Sequence, residues 1–408
     1  MKIEILTRQI LQNIPTIGAW QRAFFLRLVP LWLSLHGRFN FANLARQGGD
    51  SEPTYRAHFK RPFDFLAFNL ELTDRFLGAE RFIALDPSHI RKSGTRTHAV
   101  GYFYSGCAGR EVWGLELTGV AGVDTEGTAL HLQAVQTQPA AGQHLLDYYG
   151  EIVQTYAEQW KRLSDYVVAD AYFSRQPFVD HVLQAGMHLV TRLRKDAHLR
   201  YLYAGGPTGK PGRPKVYDGR PKVYDGRLDP RSVDTRHCEL IEEDEGSWKR
   251  AYTAVVNWKC TGRVIRVVIE QQWEADWAEV KRYRLLMSTD VDQAAAAMRR
   301  MYPARYRQEH LFRDAKQFCG LDHCQARTND KLEYHWNTAL TVASLAKAAR
   351  QLGDERARQR PFSMADVRAE YINEAAARRI LVGCGIDPDD PLILPKWRGL
   401  LNHGKRAA

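Results

Sequence analysis

The sequence predicts an α/β protein, a mixed sheet core interrupted by a β-rich insertion, with helical regions at both ends. Three observations carry this. Phe82-Ile83-Ala84-Leu85 and Tyr166-Val167-Val168-Ala169 are short apolar runs, each closed by an acid, as buried strands ending at an open edge would be. Helical patterns dominate up to about residue 75 and again from Val291. Between about residues 196 and 290 the composition shifts, and three more strand-like runs appear.

Taken in order, apolar positions recur at helical spacing from Ile10 through Leu35. A short helical unit, Phe39 to Arg46, leads into the turn Gly48-Gly49-Asp50. Ser51 is placed to cap a second short helix carrying Tyr55, Arg56, His58, Lys60 and Arg61. This is the outline of a helix-turn-helix, with Arg56 and Lys60 as candidate DNA contacts, although an ordinary helical cap reads the same way. The first apolar run then ends at Asp86-Pro87, and Ala99–Tyr104 and Val112–Val123 read as strands around a turn at Gly106–Gly109. An amphipathic helix is expected over about 142–163, followed by the second run with Asp170, a helix near 175–185, and a strand from His188 to Leu193. Gly205-Gly206-Pro207 opens a low-complexity stretch holding a tandem duplication, RPKVYDG at 213–219 and again at 220–226. Its Gly-Arg-Pro cores (212–214 and 219–221), with Lys210, Lys215 and Lys222 around them, would suit a strand in an A·T-rich minor groove, or simply a solvated loop. Ala251–Asn257, Arg263–Glu270 and Arg282–Ser288 complete the β-rich part, and Asp330 with Glu333 suggests a capping box opening a late helix.

Bulk properties narrow the class. The 408 residues carry 58 Lys and Arg against 47 acids, a formal charge of +11, which favours a polyanionic partner. The apolar stretch from Phe24 to Leu35 is broken by Arg27, Pro30 and Ser34, so no membrane span is expected and the cytoplasm is the natural compartment. The six cysteines are scattered without a C-x-x-C pair, and Cys319 with His323-Cys324 is the nearest approach to a metal cluster. Reduced thiols are the expectation.

The chemistry is carried by three acids and their neighbours. Metal-dependent phosphoryl transfer needs hard oxygen ligands, and carboxylates at the ends of neighbouring buried strands supply them. Asp86 and Asp170 have that placement, which a turn-forming acid would share. Tyr302, Arg305, Glu309 and Lys316 are spaced so that, on one helix, they fall within roughly 60° of one another over about 21 Å. One face then offers a carboxylate flanked by two cations and an aromatic hydroxyl, unless Pro303 starts the helix and leaves Tyr302 at its cap.

The run Tyr302-x-x-Arg305-x-x-x-Glu309-x-x-x-x-x-x-Lys316 resembles the tyrosine–arginine–glutamate–lysine signature of DDE transposases of the insertion-sequence-four type, with every spacing kept. Asp170-Ala171-Tyr172-Phe173 is similar to that family's second-aspartate motif, and Phe82 to Asp86 suits the first. The resemblance spans about 80–345. It implies an RNase H-like core whose second aspartate and glutamate are separated by a β-rich insertion. It also implies Asp86, Asp170 and Glu309 as catalytic ligands of two Mg²⁺ ions, with Mn²⁺ as a substitute. Arg305 and Lys316 would hold DNA phosphates, supported by Tyr302. The expected partners are double-stranded DNA (terminal inverted repeats and target DNA) and a second protomer in a synaptic homodimer, associated with the nucleoid.

The domain reading that follows is 1–75 helical and DNA-binding, 76–195 the first part of the core, 196–290 the β-rich insertion, 291–326 the catalytic helix, and 327–408 a helical region that is the candidate for oligomerisation. One departure stands out. Where similar transposases often carry a base-stacking tryptophan, this chain has Arg284, with Tyr283 beside it, and the nearest tryptophans are Trp273 and Trp277. Tyr283 and Arg284 are therefore candidate DNA contacts, and a hairpin route of excision is less secure than the metal triad. A nuclease of the same core without strand transfer, or a transposase-derived DNA-binding regulator, are the alternative functions.

Overall fold

Five helices built largely on side-chain caps begin the chain in the computed structural model, which describes residues 2–106, 108–203, 226–353 and 361–406. They are α1 (Lys2–Gln12), α2 (Ala19–Ser34), α3 (Phe41–Gln47), α4 (Glu52–Lys60) and α5 (Phe65–Phe76). The side chains of Asn40, Ser51 and Asp64 accept the first free N–H groups of α3, α4 and α5. Between α3 and α4 only glycine fits at Gly48, because a Cβ there would lie 2.1 Å from the Tyr55 hydroxyl. The duplicated heptads, apart from Gly226, lie outside the described residues.

Eleven strands then make one sheet. They are β1 (Arg81–Arg91), β2 (Gly101–Ser105), β3 (Arg110–Asp124), β4 (Ala129–Gln136), β5 (Tyr166–Val168), β6 (His188–Arg192), β7 (Leu199–Tyr201), β8 (Glu239–Asp244), β9 (Lys249–Trp258), β10 (Arg263–Trp273) and β11 (Val280–Ser288). The order is β2-β3-β1-β5-β6-β11-β10-β9-β7, with β4 also beside β3 and β8 beside β9. The β-rich stretch is thus not a separate layer. β11 pairs antiparallel with β6, Leu286 opposite Arg192, so these strands extend the core sheet.

Alternation along β1 divides the two faces. Ile83 and Leu85 pack with the residues of α6 (Leu145–Trp160) and α7 (Gln176–Gln184), whereas Phe82 and Ala84 join the core shared with the N-terminal helices, α9 (Arg307–Phe318) and α10 (Asn329–Gln351). α8 (Ala295–Ala304) precedes α9, and α11 (Met364–Gly383) and α12 (Leu394–Arg398) follow α10.

One strand is added here and one expectation is corrected. β4 escaped the sequence reading. Its edge is closed by polar side chains instead of a further strand: Asn337 bonds both the N–H and the C=O of Ala134, and Ser344 accepts from the His131 N–H. Glu333 belongs to the same edge, accepting from the Gln136 N–H at 3.1 Å, so it does not form the expected capping box. Thr328 occupies the N-cap of α10 with no side-chain cap bond.

Candidate active site

β1 was expected to end at Asp86, but it continues to Arg91 and places Asp86 in mid-strand. What ends is its neighbour. β5 pairs with β1 only at Ile83↔Val167 and Ala84↔Val168, so beyond Ala84 the β5 side of β1 is open. That open edge exposes the approach to Asp86 and tolerates Pro87, which has no N–H to donate. Asp170 lies two residues past Val168, as Asp86 lies two past Ala84, so the parallel pairing brings both acids to the same end of the sheet. Asp170 is fixed by its own turn. Its Oδ1 accepts from the Tyr172 N–H at 2.9 Å and its carbonyl accepts from Thr191 Oγ1 at 2.7 Å.

The third acid arrives on a different element from the one expected. Tyr302, Arg305, Glu309 and Lys316 do not share one straight helix. α8 ends at Ala304 with Pro303 in its last turn, and α9 starts at Arg307. The Pro303 ring has no N–H for the ladder, and the joint is closed by tight three-residue bonds, Tyr306 N–H to the Pro303 carbonyl and Glu309 N–H to the Tyr306 carbonyl. Tyr302 is therefore on α8, Arg305 at the joint, Glu309 in the first turn of α9 and Lys316 in its last.

Two contacts seat α9 on β3 opposite Asp86. Gln308 is buried and donates from Nε2 to the Gly119 carbonyl at 2.9 Å. Gly119, the register partner of Asp86, lies under the Phe312 ring, where a Cβ would meet Cζ at 2.3 Å. Lys316 donates to the His89 carbonyl at 3.1 Å and so stands two turns from the acids. Gln308, Phe312 and Gly119 were not singled out in the sequence. The only signal was a polar residue beside Glu309, on a face that a straight helix would have left uncertain.

The electrostatics join the three acids. Burial, reinforced by the negative charges of Asp170 and Glu309, pushes the Asp86 carboxyl up to about 7 in spite of Arg305. Arg305 lies between two of them, with Nη1 3.6 Å from Asp86 Oδ1 and Nη2 3.2 Å from Glu309 Oε1. Burial raises the Tyr302 hydroxyl as well, with Arg305, Arg192, Asp170 and Arg284 as its charged neighbours. Among the described residues no three His, Cys, Asp or Glu side chains form a ready-made cage. The donor set still suits a divalent cation: three hard carboxylates, mutually repulsive and partly buried, favour a positive charge among them.

A cleft of about 560 Å³ on the same face of the sheet is lined by Arg192, Lys249, Arg282, Arg284 and Arg299, with Glu242, Asp244 and Glu270 between them. Arg284 pairs with Glu270 at 2.5 Å, and Arg299 takes the other oxygen of that carboxylate at 3.0 Å. Tyr283 is the next residue along the strand, with the Arg231 guanidinium 5.7 Å from its ring centre. Tyr283 and Arg284 both contribute to the lining of this cleft. Arg56 and Lys60 lie apart on the exposed side of α4, Arg56 paired with Glu52 and 4.6 Å from the Phe41 ring. Cys319 and Cys324 are buried, free thiols, pushed by burial up to about 12 and about 11, and form no metal cluster with His323.

A family model described as a transposase DDE domain matches residues 77–345, a span holding all three acids and the sheet that positions them. No curated protein matches the chain. The chain therefore belongs to the transposase DDE domain family, whose members are metal-dependent enzymes that cleave DNA.

Proposed function

We propose that this chain is a transposase of the insertion-sequence-four type that cleaves DNA at the ends of an insertion sequence and joins them to target DNA. What supports the proposal is that Asp170, at the end of β5, and Glu309, on α9, lie close enough to Asp86 of β1 for their charges to act on it, inside the span matched by the family model. The strand order β4-β3-β1-β5-β6, with only β3 antiparallel to the others, supports an RNase H-like core. Asp86, Asp170 and Glu309 would hold two divalent ions, Mg²⁺ with Mn²⁺ as a substitute. Such ions, when bound, stabilise the attacking and leaving oxygens of a phosphoryl transfer.

The chain's own groups supply the rest. The cation-lined cleft gives the DNA backbone a path away from the acids on their own side of the sheet. Arg305 and Lys316 are within reach of phosphates flanking the cut, and Tyr302 packs beside Arg305. Hydrolysis at the element's end leaves a 3′-hydroxyl. Its attack on a target phosphodiester forms one P–O bond as another breaks, so no covalent enzyme intermediate is needed. Pairing of two ends calls for a homodimer, and the region after about residue 327 is our candidate for the contact. No helix among the described residues is long and apolar enough to cross a membrane.

Asp86→Ala, Asp170→Ala and Glu309→Ala are each expected to abolish cleavage of DNA carrying the element's terminal repeats while binding persists, because ligands of one metal pair act as a unit. Near-normal cleavage by any of the three removes that residue from the site. Cleavage without strand transfer by the unaltered protein would instead make the chain a nuclease.

A further inference from the structure

Arg305 is an unusual cation. Its side chain is only 12% exposed, yet Nε and Nη1 have no hydrogen-bond partner. Buried guanidinium groups ordinarily satisfy their donors, and bidentate pairing with a carboxylate or phosphate is their strongest arrangement. Here the guanidinium has one hydrogen bond, to Glu309, and a looser ion pair with Asp86. It thus neutralises two acids without being bonded as well as it could be.

The turn bearing Glu309 does not depend on it. Gln308 holds that turn to the Gly119 carbonyl, Phe312 covers Gly119, and Lys316 ties the far end of α9 to the His89 carbonyl. Arg305 stands at the α8–α9 joint, outside all three contacts. Its side chain can swing away from the acids while Glu309 stays over β3.

We propose that Arg305 is an exchangeable counter-cation that couples metal loading to DNA binding. In the DNA-free chain it pairs with Asp86 and Glu309, and a divalent ion must displace it. When a DNA phosphate takes the guanidinium, the two carboxylates become available together. This rests on the reading of Asp86 and Glu309 as metal ligands. The coupling is reciprocal: DNA tightens metal binding, and metal tightens DNA binding by the same factor. Free protein would then carry little bound metal, and premature cutting would be suppressed.

The test is a Mn²⁺ titration followed by the electron paramagnetic resonance of the free ion, with and without a short mixed-sequence duplex at low salt. The wild-type protein is expected to bind Mn²⁺ roughly ten- to hundredfold more tightly with the duplex. Arg305→Gln should bind Mn²⁺ tightly without DNA and gain little from the duplex. Arg305→Lys, which keeps the charge, should remain weak without DNA, which separates competition by charge from a change in packing. The proposal is overturned if Arg305→Gln binds Mn²⁺ no more tightly than wild type in the absence of DNA. It is also overturned if Lys and Gln at this position behave alike. A separate control addresses the underlying reading: if Asp86→Asn leaves Mn²⁺ binding unchanged in both backgrounds, the carboxylates are not the ligands and the coupling falls with them.

Discussion

Gly119→Ala is a sharp test of how the acids are held in register, because it adds one methyl group at the seat of α9. The new Cβ would lie 2.3 Å from Phe312 Cζ and 2.8 Å from Cε1, with the Asp86 carbonyl oxygen at 3.4 Å. Carbon atoms in contact prefer about 3.5–4.0 Å, so the ring has to retreat by more than about 1 Å. Overpacking of this kind costs about 1–3 kcal/mol. Phe312 is one turn beyond Glu309, so a helix that yields to the methyl carries the carboxylate away from Asp86. A displacement of about 1 Å at such a site is enough for a hundredfold loss of rate. Gly119→Ala is therefore expected to lose more cleavage than its loss of stability explains. Phe312→Leu removes the clashing ring edge and on its own leaves a small void. Combined with Gly119→Ala, it should recover about 1–2 kcal/mol relative to the sum of the single changes, a coupling in the range seen for residues in contact. Urea unfolding of the four proteins gives the cycle, and cleavage of end-labelled DNA gives the second readout. Additivity within about 0.5 kcal/mol would show that ring and glycine are not in contact, and the account of how Glu309 is positioned would fall with it.

Two further outcomes follow from the N-terminal helices. His58 is stacked between Trp20 and Phe24, ring centres 3.6 and 3.5 Å away, and burial brings its imidazole down to about 4. A base whose folded value lies below its unfolded one binds more protons when unfolded. Stability from this group is therefore complete above about pH 6.5 and is lost as pH falls towards 4. Urea midpoints at pH 7 and pH 5 should show a smaller acid loss for His58→Phe than for wild type, and an equal loss would contradict the burial argument. Arg56→Ala and Lys60→Ala, on the exposed side of α4, should each lower the slope of log affinity against log salt by about 1 if α3 and α4 grip DNA. An unchanged slope in both would leave the pair a helical cap.

How much of this was legible in the sequence depends on where the polar groups point. The two apolar runs announced β1 and β5 because strands buried on both faces read as continuous hydrophobic stretches. β4 is as buried as they are, yet it contains His131, Gln133 and Gln136, and its polar content hid it. The strand is held by partners from α10 and α5: Asn337 bonds His131 Nε2, and Asn69 donates to the Leu132 carbonyl. Such long-range satisfaction has no local signature. Glu333 misled for the same reason: three residues after Asp330 it has the spacing of a capping box, while its carboxylate is engaged by a strand nearly two hundred residues earlier in the chain.

The acids show the limit from the other side. The spacing of Tyr302, Arg305, Glu309 and Lys316 was visible, and a straight helix was its simplest geometry, but Pro303 makes that geometry unavailable. On a straight helix Arg305 would stand one turn from Glu309 on a common face, its guanidinium as free to point outward as inward. The break moves Arg305 to the joint, while Gln308 and Phe312 seat the following turn on Gly119, directly across from Asp86. The guanidinium is thereby directed inward between two acids from different elements, Asp86 of the sheet and Glu309 of the helix. The fixed spacing is thus a record of which groups must meet, and the proline decides how. A proline within such a run implies that the arginine bridges elements instead of lining a face. That position alone lets one side chain contact the acids of both elements and still lie at the edge where DNA would arrive.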